Sequence, residues 1–281
     1  PMSNPKLISV QLVSSPNIDE NLNAIEKQLI EIRQQFPSDE LLVVLPECCL
    51  MFATKDHEVR EFSERSKQGP MQDALSELSQ RFNLYLDAGT IAIKADDGRH
   101  FAASILFNPQ GEQLGQYNKV HLFDVDVADG YGSYRESENT HPGQHISVIK
   151  TPIGNIGMAV CYDLRFGALF QTMREMGADI FVLPSAFTKV TGQAHWELLS
   201  RARAVENQCY MIASNQGGEH KNGRVTWGQS MVVDPWGIVE SEIASGEGFA
   251  VGEFDRDKLQ ALRAKMPMAS QQRFQSTLLK N

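Results

Sequence analysis

The sequence predicts a layered α/β fold, with two mixed β-sheets packed face to face and helices on the outer faces. Three observations predict it. Nearly unbroken apolar runs such as Leu41-Leu42-Val43-Val44-Leu45 suit strands covered on both faces. These runs alternate with helical patterns, as at Leu22, Ile25, Leu29 and Ile32. Turn signals, Asp96-Asp97-Gly98 and Asn108-Pro109-Gln110-Gly111, interrupt the βαβ rhythm with antiparallel hairpins. No G-x-G-x-x-G or P-loop string opens a helix, which argues against a Rossmann fold.

The elements follow in order. Residues 7–13 alternate weakly and read as a first strand. A helix over 17–36 comes next, with Ser15 or Asn17 available to cap it. The strand at 41–45 precedes a helix over 71–82 and a strand over 84–93. The second half repeats that logic with a strand at 156–160, a helix over 166–176 and a strand at 178–183. A long helix over 195–207 and a strand at 210–214 follow. A hairpin then joins 226–233 to 238–243 through the turn Asp234-Pro235-Trp236-Gly237. No Gly/Ser-rich linker or charge block divides the 281 residues, so residues 2–281 are expected to form one domain.

A net charge of −9 with scattered basic residues argues against nucleic acid or an anionic membrane as partner. The segment Met2-Ser3-Asn4-Pro5-Lys6, with Met2 the expected initiator, lacks a secretory core. No apolar run approaches the ~18 residues of a membrane span. The expected location is the cytoplasm. Four cysteines, Cys48, Cys49, Cys161 and Cys209, fit no zinc spacing, so no metal is expected.

Three apolar runs end in residues that can do chemistry. They lead to Glu47, Lys119 and Cys161. A lone cysteine ending a strand is more often a packed hydrophobe than a nucleophile. Here the polar stretch Tyr162-Asp163-Leu164-Arg165 follows at once, which puts the thiol at a sheet edge where turn N–H groups could face an oxyanion. An unperturbed thiol, with a pKa of about 8.5, needs a base or a cation to react at neutral pH. Glu47, behind Pro46, is a candidate base whose pKa desolvation would raise; a solvated loop glutamate is the plainer reading. Lys119 lies among residues that look buried, and a buried ammonium needs a partner.

Leu45-Pro46-Glu47, Asn118-Lys119-Val120-His121-Leu122-Phe123-Asp124 and Gly157-Met158-Ala159-Val160-Cys161-Tyr162-Asp163-Leu164-Arg165-Phe166 resemble, in order, the three motifs of the nitrilase superfamily of carbon–nitrogen hydrolases. The resemblance spans nearly the whole chain. It implies a four-layer αββα sandwich, a Glu47–Lys119–Cys161 triad without metal or cofactor, and two-fold association into a homodimer or longer stacks. The last ~25 residues are then expected to extend onto a partner subunit. It also implies that Glu136 matches an additional active-site glutamate and that the Tyr162 N–H helps to hold an oxyanion. Arg165, Ser185, Thr191 and His195 are expected near the substrate.

Within the superfamily the chain resembles the Nit branch, through stretches such as Pro184-Ser185-Ala186-Phe187 and Arg201-Ala202-Arg203-Ala204-Val205-Glu206. That implies hydrolysis of a small carboxylate-bearing amide. Gln208-Cys209-Tyr210 and Gln216-Gly217-Gly218 lean toward deaminated glutathione, with ω-amidase action on α-ketoglutaramate or α-ketosuccinamate as the alternative. A reading of another class is a redox-sensing or binding protein on the same fold, with cysteines as switches. One departure is Gly167-Ala168 where the family usually has Pro-Glu, which loosens a helix start and bears on the pocket's local shape.

Overall fold

The structure, a computed structural model, describes residues 2–280. Its first half holds β1 (Lys6–Gln11), α1 (Ile18–Gln35), β2 (Leu41–Val44), α2 (Asp56–Glu61) and α3 (Pro70–Arg81). Strands β3 (Tyr85–Asp87), β4 (Ile91–Lys94), β5 (His100–Phe107) and β6 (Gln113–Asn118) follow. A separate hairpin pairs β7 (Asp124–Val127) with β8 (Gly132–Arg135). The second half holds β9 (Val148–Thr151), β10 (Gly154–Met158), α4 (Gly167–Glu175), β11 (Ile180–Ser185) and α5 (Lys189–Asn207). Strands β12 (Tyr210–Asn215), β13 (Met231–Val233), β14 (Val239–Glu242) and β15 (Gly248–Glu253) and helices α6 (Arg256–Lys265) and α7 (Met268–Gln271) complete it.

One sheet runs β15-β1-β2-β3-β5-β4, with β6 on β5; the other runs β14-β13-β12-β11-β10-β9. The central strands β1-β2-β3 and β10-β11-β12 are parallel, and antiparallel strands flank them. Both sheets are therefore mixed, as the sequence predicts. Alternation along the strands sorts the core into two layers. Leu7, Leu42 and Val44 pack into the core between the sheets, whereas Ile8, Val10, Leu41 and Val43 pack under Ile25, Leu29 and Ile32 of α1 and Leu75 and Leu78 of α3. On the far side, Phe170 and Met173 of α4 and Trp196 and Ala204 of α5 cover the second sheet. Buried hydroxyls stitch the sheets together: Ser9 Oγ donates to the Ala213 carbonyl at 2.8 Å and Ser214 Oγ to the Val44 carbonyl at 2.9 Å. The result is an αββα sandwich.

The helix starts have visible causes. Asn17 caps α1 by accepting the Glu20 N–H at 3.0 Å, and Pro70 opens α3. The strand expected over 226–233 forms only at Met231–Val233, and two further boundaries differ from the sequence reading for visible reasons. The strand expected over 84–93 is two strands, because the chain bends at Gly89 (φ 65°), where a Cβ would lie 2.1 Å from the Pro46 carbonyl oxygen. The helix expected from 195 begins at Lys189, capped by Thr188, whose Oγ1 accepts the Thr191 N–H at 3.2 Å. Gly192 sits inside that helix, and its lack of a side chain makes room for Trp227, whose side chain a Cβ there would meet at 2.2 Å. Among the described residues no helix is long and apolar enough to cross a membrane.

Candidate active site

Glu47 lies just beyond β2, Lys119 directly follows β6, and Cys161 opens a 3₁₀ turn (Cys161–Arg165) just beyond β10. The loop carrying Glu47 is tied across to the other sheet, since the Glu47 N–H donates to the Ser185 carbonyl at the end of β11 at 3.3 Å. Lys119 is 1% exposed. Its Nζ donates to Glu47 Oε2 at 3.0 Å and to Glu136 Oε1 and Oε2 at 2.9 and 3.2 Å. Glu136 is itself fixed, accepting the Phe123 N–H at 2.7 Å. A lone buried ammonium would lose its proton; here burial pulls the Lys119 pKa down, but the Glu136 and Glu47 charges outweigh it and hold the value well above normal. Glu47 is raised, by burial first and by the Glu136 charge, against the downward pull of Lys119 and the Cys161 thiol.

Cys161 sits at φ 48°, a left-handed backbone that a non-glycine residue rarely adopts. The turn that imposes it is pinned by Asp163, which is fully buried. Asp163 Oδ2 accepts the Val160 N–H at 2.9 Å and the Tyr117 hydroxyl at 2.6 Å. Its Oδ1 accepts the His121 N–H at 3.1 Å and lies 2.7 Å from His121 Nδ1. Burial first, and the Glu47 charge second, push the Cys161 thiol well above its ordinary pKa, while Lys119 and the Ala186 backbone N–H work the other way. The resting sulfur is therefore a thiol facing a carboxylate. Proton transfer to that carboxylate would create a nucleophile beside a fixed ammonium, which suits attack on an acyl carbon.

One cavity brings together Glu47, Lys119, Glu136, Cys161, Tyr162, Arg165 and Thr191, within largely apolar walls that include Met51, Phe52, Val59 and Phe62. Two residues expected near the substrate stand outside it. Ser185 is fully buried and turns its hydroxyl into the sheet, donating to the Leu183 carbonyl at 3.2 Å. His195 is exposed on α5 and touches the pocket only through Arg165, whose Nη1 lies 3.1 Å from His195 Nδ1. Gly167 and Ala168 do not line this cavity either; Gly167 borders a separate groove beside α7. Sequence reasoning missed His100, Thr140 and Arg224 in the lining. It also passed over Asp163 as a positioning residue, although the motif contains it. Among the described residues no group of three or more His, Cys, Asp or Glu side chains is arranged to hold a metal ion.

An αββα sandwich that gathers a thiol, a carboxylate and an ammonium at its strand ends defines a class, the hydrolases of carbon–nitrogen bonds. The chain belongs to the carbon-nitrogen hydrolase family, whose pattern matches residues 6–264. It is 40% identical over 280 residues to the deaminated glutathione amidase of Yersinia enterocolitica, covering 99% of this chain and 96% of that protein. It is 35% identical over 274 residues to omega-amidase NIT2 of Xenopus tropicalis, covering 97% of this chain and 96% of that one. Among solved structures it matches Saccharomyces cerevisiae Nit3, described as a member of branch 10 of the nitrilase superfamily. The TM-score is 0.86 and the identity 33%, over 97% of each chain.

Proposed function

We propose that the protein is a thiol-dependent amidase that cleaves deaminated glutathione through a cysteinyl thioester. The observation that carries the reading is the buried Lys119, bonded to Glu47 and Glu136 in the same cavity as a thiol held on a left-handed turn. Glu47 takes the Cys161 proton as the sulfur bonds to the amide carbonyl carbon. Lys119 Nζ and the Tyr162 N–H hold the oxyanion. The carbon–nitrogen bond then breaks, and the amine leaves with the proton from Glu47. A water, deprotonated by Glu47, attacks the thioester; the carbon–sulfur bond breaks and the thiol regains its proton. Glu136 keeps Lys119 charged and in place.

The substrate reading follows the Yersinia relative and fits the two guanidinium groups, Arg165 and Arg224, that line the cavity. Deaminated glutathione carries a keto-acid carboxylate on the acyl side and a glycine carboxylate on the amine side. Arg165, which closes the turn that begins with Cys161, is suited to the acyl-side carboxylate. The Xenopus relative supports a second reading, ω-amidase action on α-ketoglutaramate, which needs only that one carboxylate. Both reactions release α-ketoglutarate, so one assay compares them, with Cys161→Ala as the blank. Higher kcat/KM on the tripeptide analogue is expected; preference for the small amide selects the second reading. Appreciable turnover by Cys161→Ala would sink the nucleophile assignment, because losing such a residue costs on the order of 10⁶ in kcat.

The same reading holds residues 2–281 to be one cytoplasmic domain that pairs as a homodimer. Leu198 and Val205 on α5 lie exposed near Trp236 and Ile238, with Arg201 bonded to the Gly237 carbonyl between them. The tail beyond α7 exposes Phe274 and Leu279, which suits packing on a second copy. Four free cysteines fit a reducing compartment. Sedimentation at micromolar concentration tests the dimer, and a monomer would remove it.

A further inference from the structure

Two guanidinium groups line the cavity, and they are held differently. Arg165 is in the nucleophile's own turn and touches His195. Arg224 comes from the loop between β12 and β13 and lines the same cavity. Its guanidinium carbon lies 4.6 Å from the centroid of Phe52, 5.5 Å from Tyr131 and 5.8 Å from Tyr134. The loop beneath it is fastened on both sides. His220 stacks on Phe52 at 3.8 Å, and its ring nitrogens lie 2.8 Å from the Ser14 carbonyl and 2.8 Å from Thr226 Oγ1. The Arg224 N–H donates to Asn222 Oδ1 at 3.0 Å, and Asn222 donates to the Ala53 carbonyl at 3.2 Å.

The guanidinium itself has no such partner. Among the described residues it makes no ion pair and no side-chain hydrogen bond, only the aromatic contacts. Asp56 lies in the same wall and feels its charge without pairing with it. A half-buried arginine with a fixed backbone, a clamped aromatic platform and a full set of unused donors is organised in advance for an anion. Planar carboxylates are the anions that its fork fits best among those an amide substrate carries.

We propose that Arg224 binds the carboxylate on the leaving-group side of the substrate, the C-terminal carboxylate of a peptide-like amide, and so sets the preference for a long amide over a small primary one. This rests on the amidase reading above. The division of labour follows from position. Arg165, joined to Cys161 by one short turn, suits the short keto-acid arm. Arg224, on a different loop and 5.5 Å from the exposed Tyr131 ring, suits the longer cysteinylglycine arm.

The test uses the full chain and three substrates: deaminated glutathione, its C-terminal carboxamide, and α-ketoglutaramate. Arg224→Gln should raise KM for deaminated glutathione roughly 10- to 100-fold, the range for a charge-assisted hydrogen bond, with a much smaller change in kcat. The effect on α-ketoglutaramate should be far smaller. The wild-type enzyme should lose a similar factor on the carboxamide, and Arg224→Gln should add little to that loss, as expected when both changes remove one contact. Arg224→Lys should recover part of the KM. Equal losses on the tripeptide analogue and on α-ketoglutaramate would make Arg224 structural and overturn the inference. So would no loss on either, or additive losses on the carboxamide. A wild-type enzyme that ignores deaminated glutathione would instead overturn the substrate reading and the inference with it, a failure visible before any variant is made.

Discussion

Glu47 and Asp87 are two buried acids of the same sheet, linked through the backbone by the Leu45 N–H donating to the Asp87 carbonyl at 3.0 Å. Burial pushes both carboxyls up. They differ in what answers it. Glu47 has the Lys119 ammonium at 3.0 Å and opens on a cavity. Asp87 has the Ser104 hydroxyl at 2.5 Å and the Gly89 N–H, while its Oδ2 finds no partner, and its pKa rises to about 7. Burial alone makes an acid reluctant to ionise. Adding a fixed cation and an opening makes an acid that can give up its proton and take it back.

Removing the cation should turn the first site into a worse version of the second. Lys119→Met leaves the Glu47 and Glu136 carboxyls facing each other in the cavity wall with no cation between them. Activity should fall at least 10²–10³-fold through the lost oxyanion donor. Stability should fall by about 3–5 kcal/mol, as when a buried ion pair loses one member. Adding Glu136→Gln should restore much of the stability and none of the activity. Recovery of both in the double variant would break the comparison, since Lys119 would then serve only to neutralise Glu136.

A smaller change sharpens it. The Glu136 charge is one of the causes that raise Glu47, so Glu136→Gln alone should lower the Glu47 pKa. A base must be ionised to act, so kcat/KM falls as pH drops through the Glu47 pKa. In the wild-type enzyme that acid limb should stand above the ordinary 4.5 of a glutamate, and in Glu136→Gln it should move to lower pH. A limb that moves upward, or stays fixed, would remove Glu47 as the titrating base.

The contrast also explains what could be read in advance. Glu47 and Cys161 each follow an apolar run, so local pattern exposes them, whereas Lys119 follows the mostly polar Gln113–Asn118 and stands out through its motif; together the three match one family's motifs. The two-sheet architecture is legible for the same reason. The bend at Gly89 and the helical setting of Gly192 are not, because these glycines answer to the Pro46 carbonyl and the Trp227 side chain, which are remote in sequence. Arg224 stands in an ordinary polar loop and gains its meaning from Phe52 and Tyr134, brought to it by folding. Ser185 and His195 show the converse: their neighbours in sequence enter the cavity, but strand alternation and the helix face turn these two away.

The smallest expected effect concerns Asp87 and is purely one of stability. Its carboxyl is raised from 3.8 to about 7, so between those values the folded state keeps a proton that the unfolded chain has released. The stabilisation is complete below pH 3.8 and disappears as pH rises through 7. A shift of that size, at about 1.4 kcal/mol per unit, sets an upper bound of roughly 4 kcal/mol. Asp87→Asn still accepts from Ser104 Oγ but carries no titrating proton. Its amide also meets a site where Oδ2 had no partner, a cost that does not vary with pH. The informative quantity is therefore the slope and not the offset. Urea unfolding between about pH 5 and pH 8 should show the variant gaining on the wild type as pH rises. Parallel curves would mean that Asp87 ionises as freely in the folded protein as in the unfolded chain, and that burial without a paired cation does not hold it protonated.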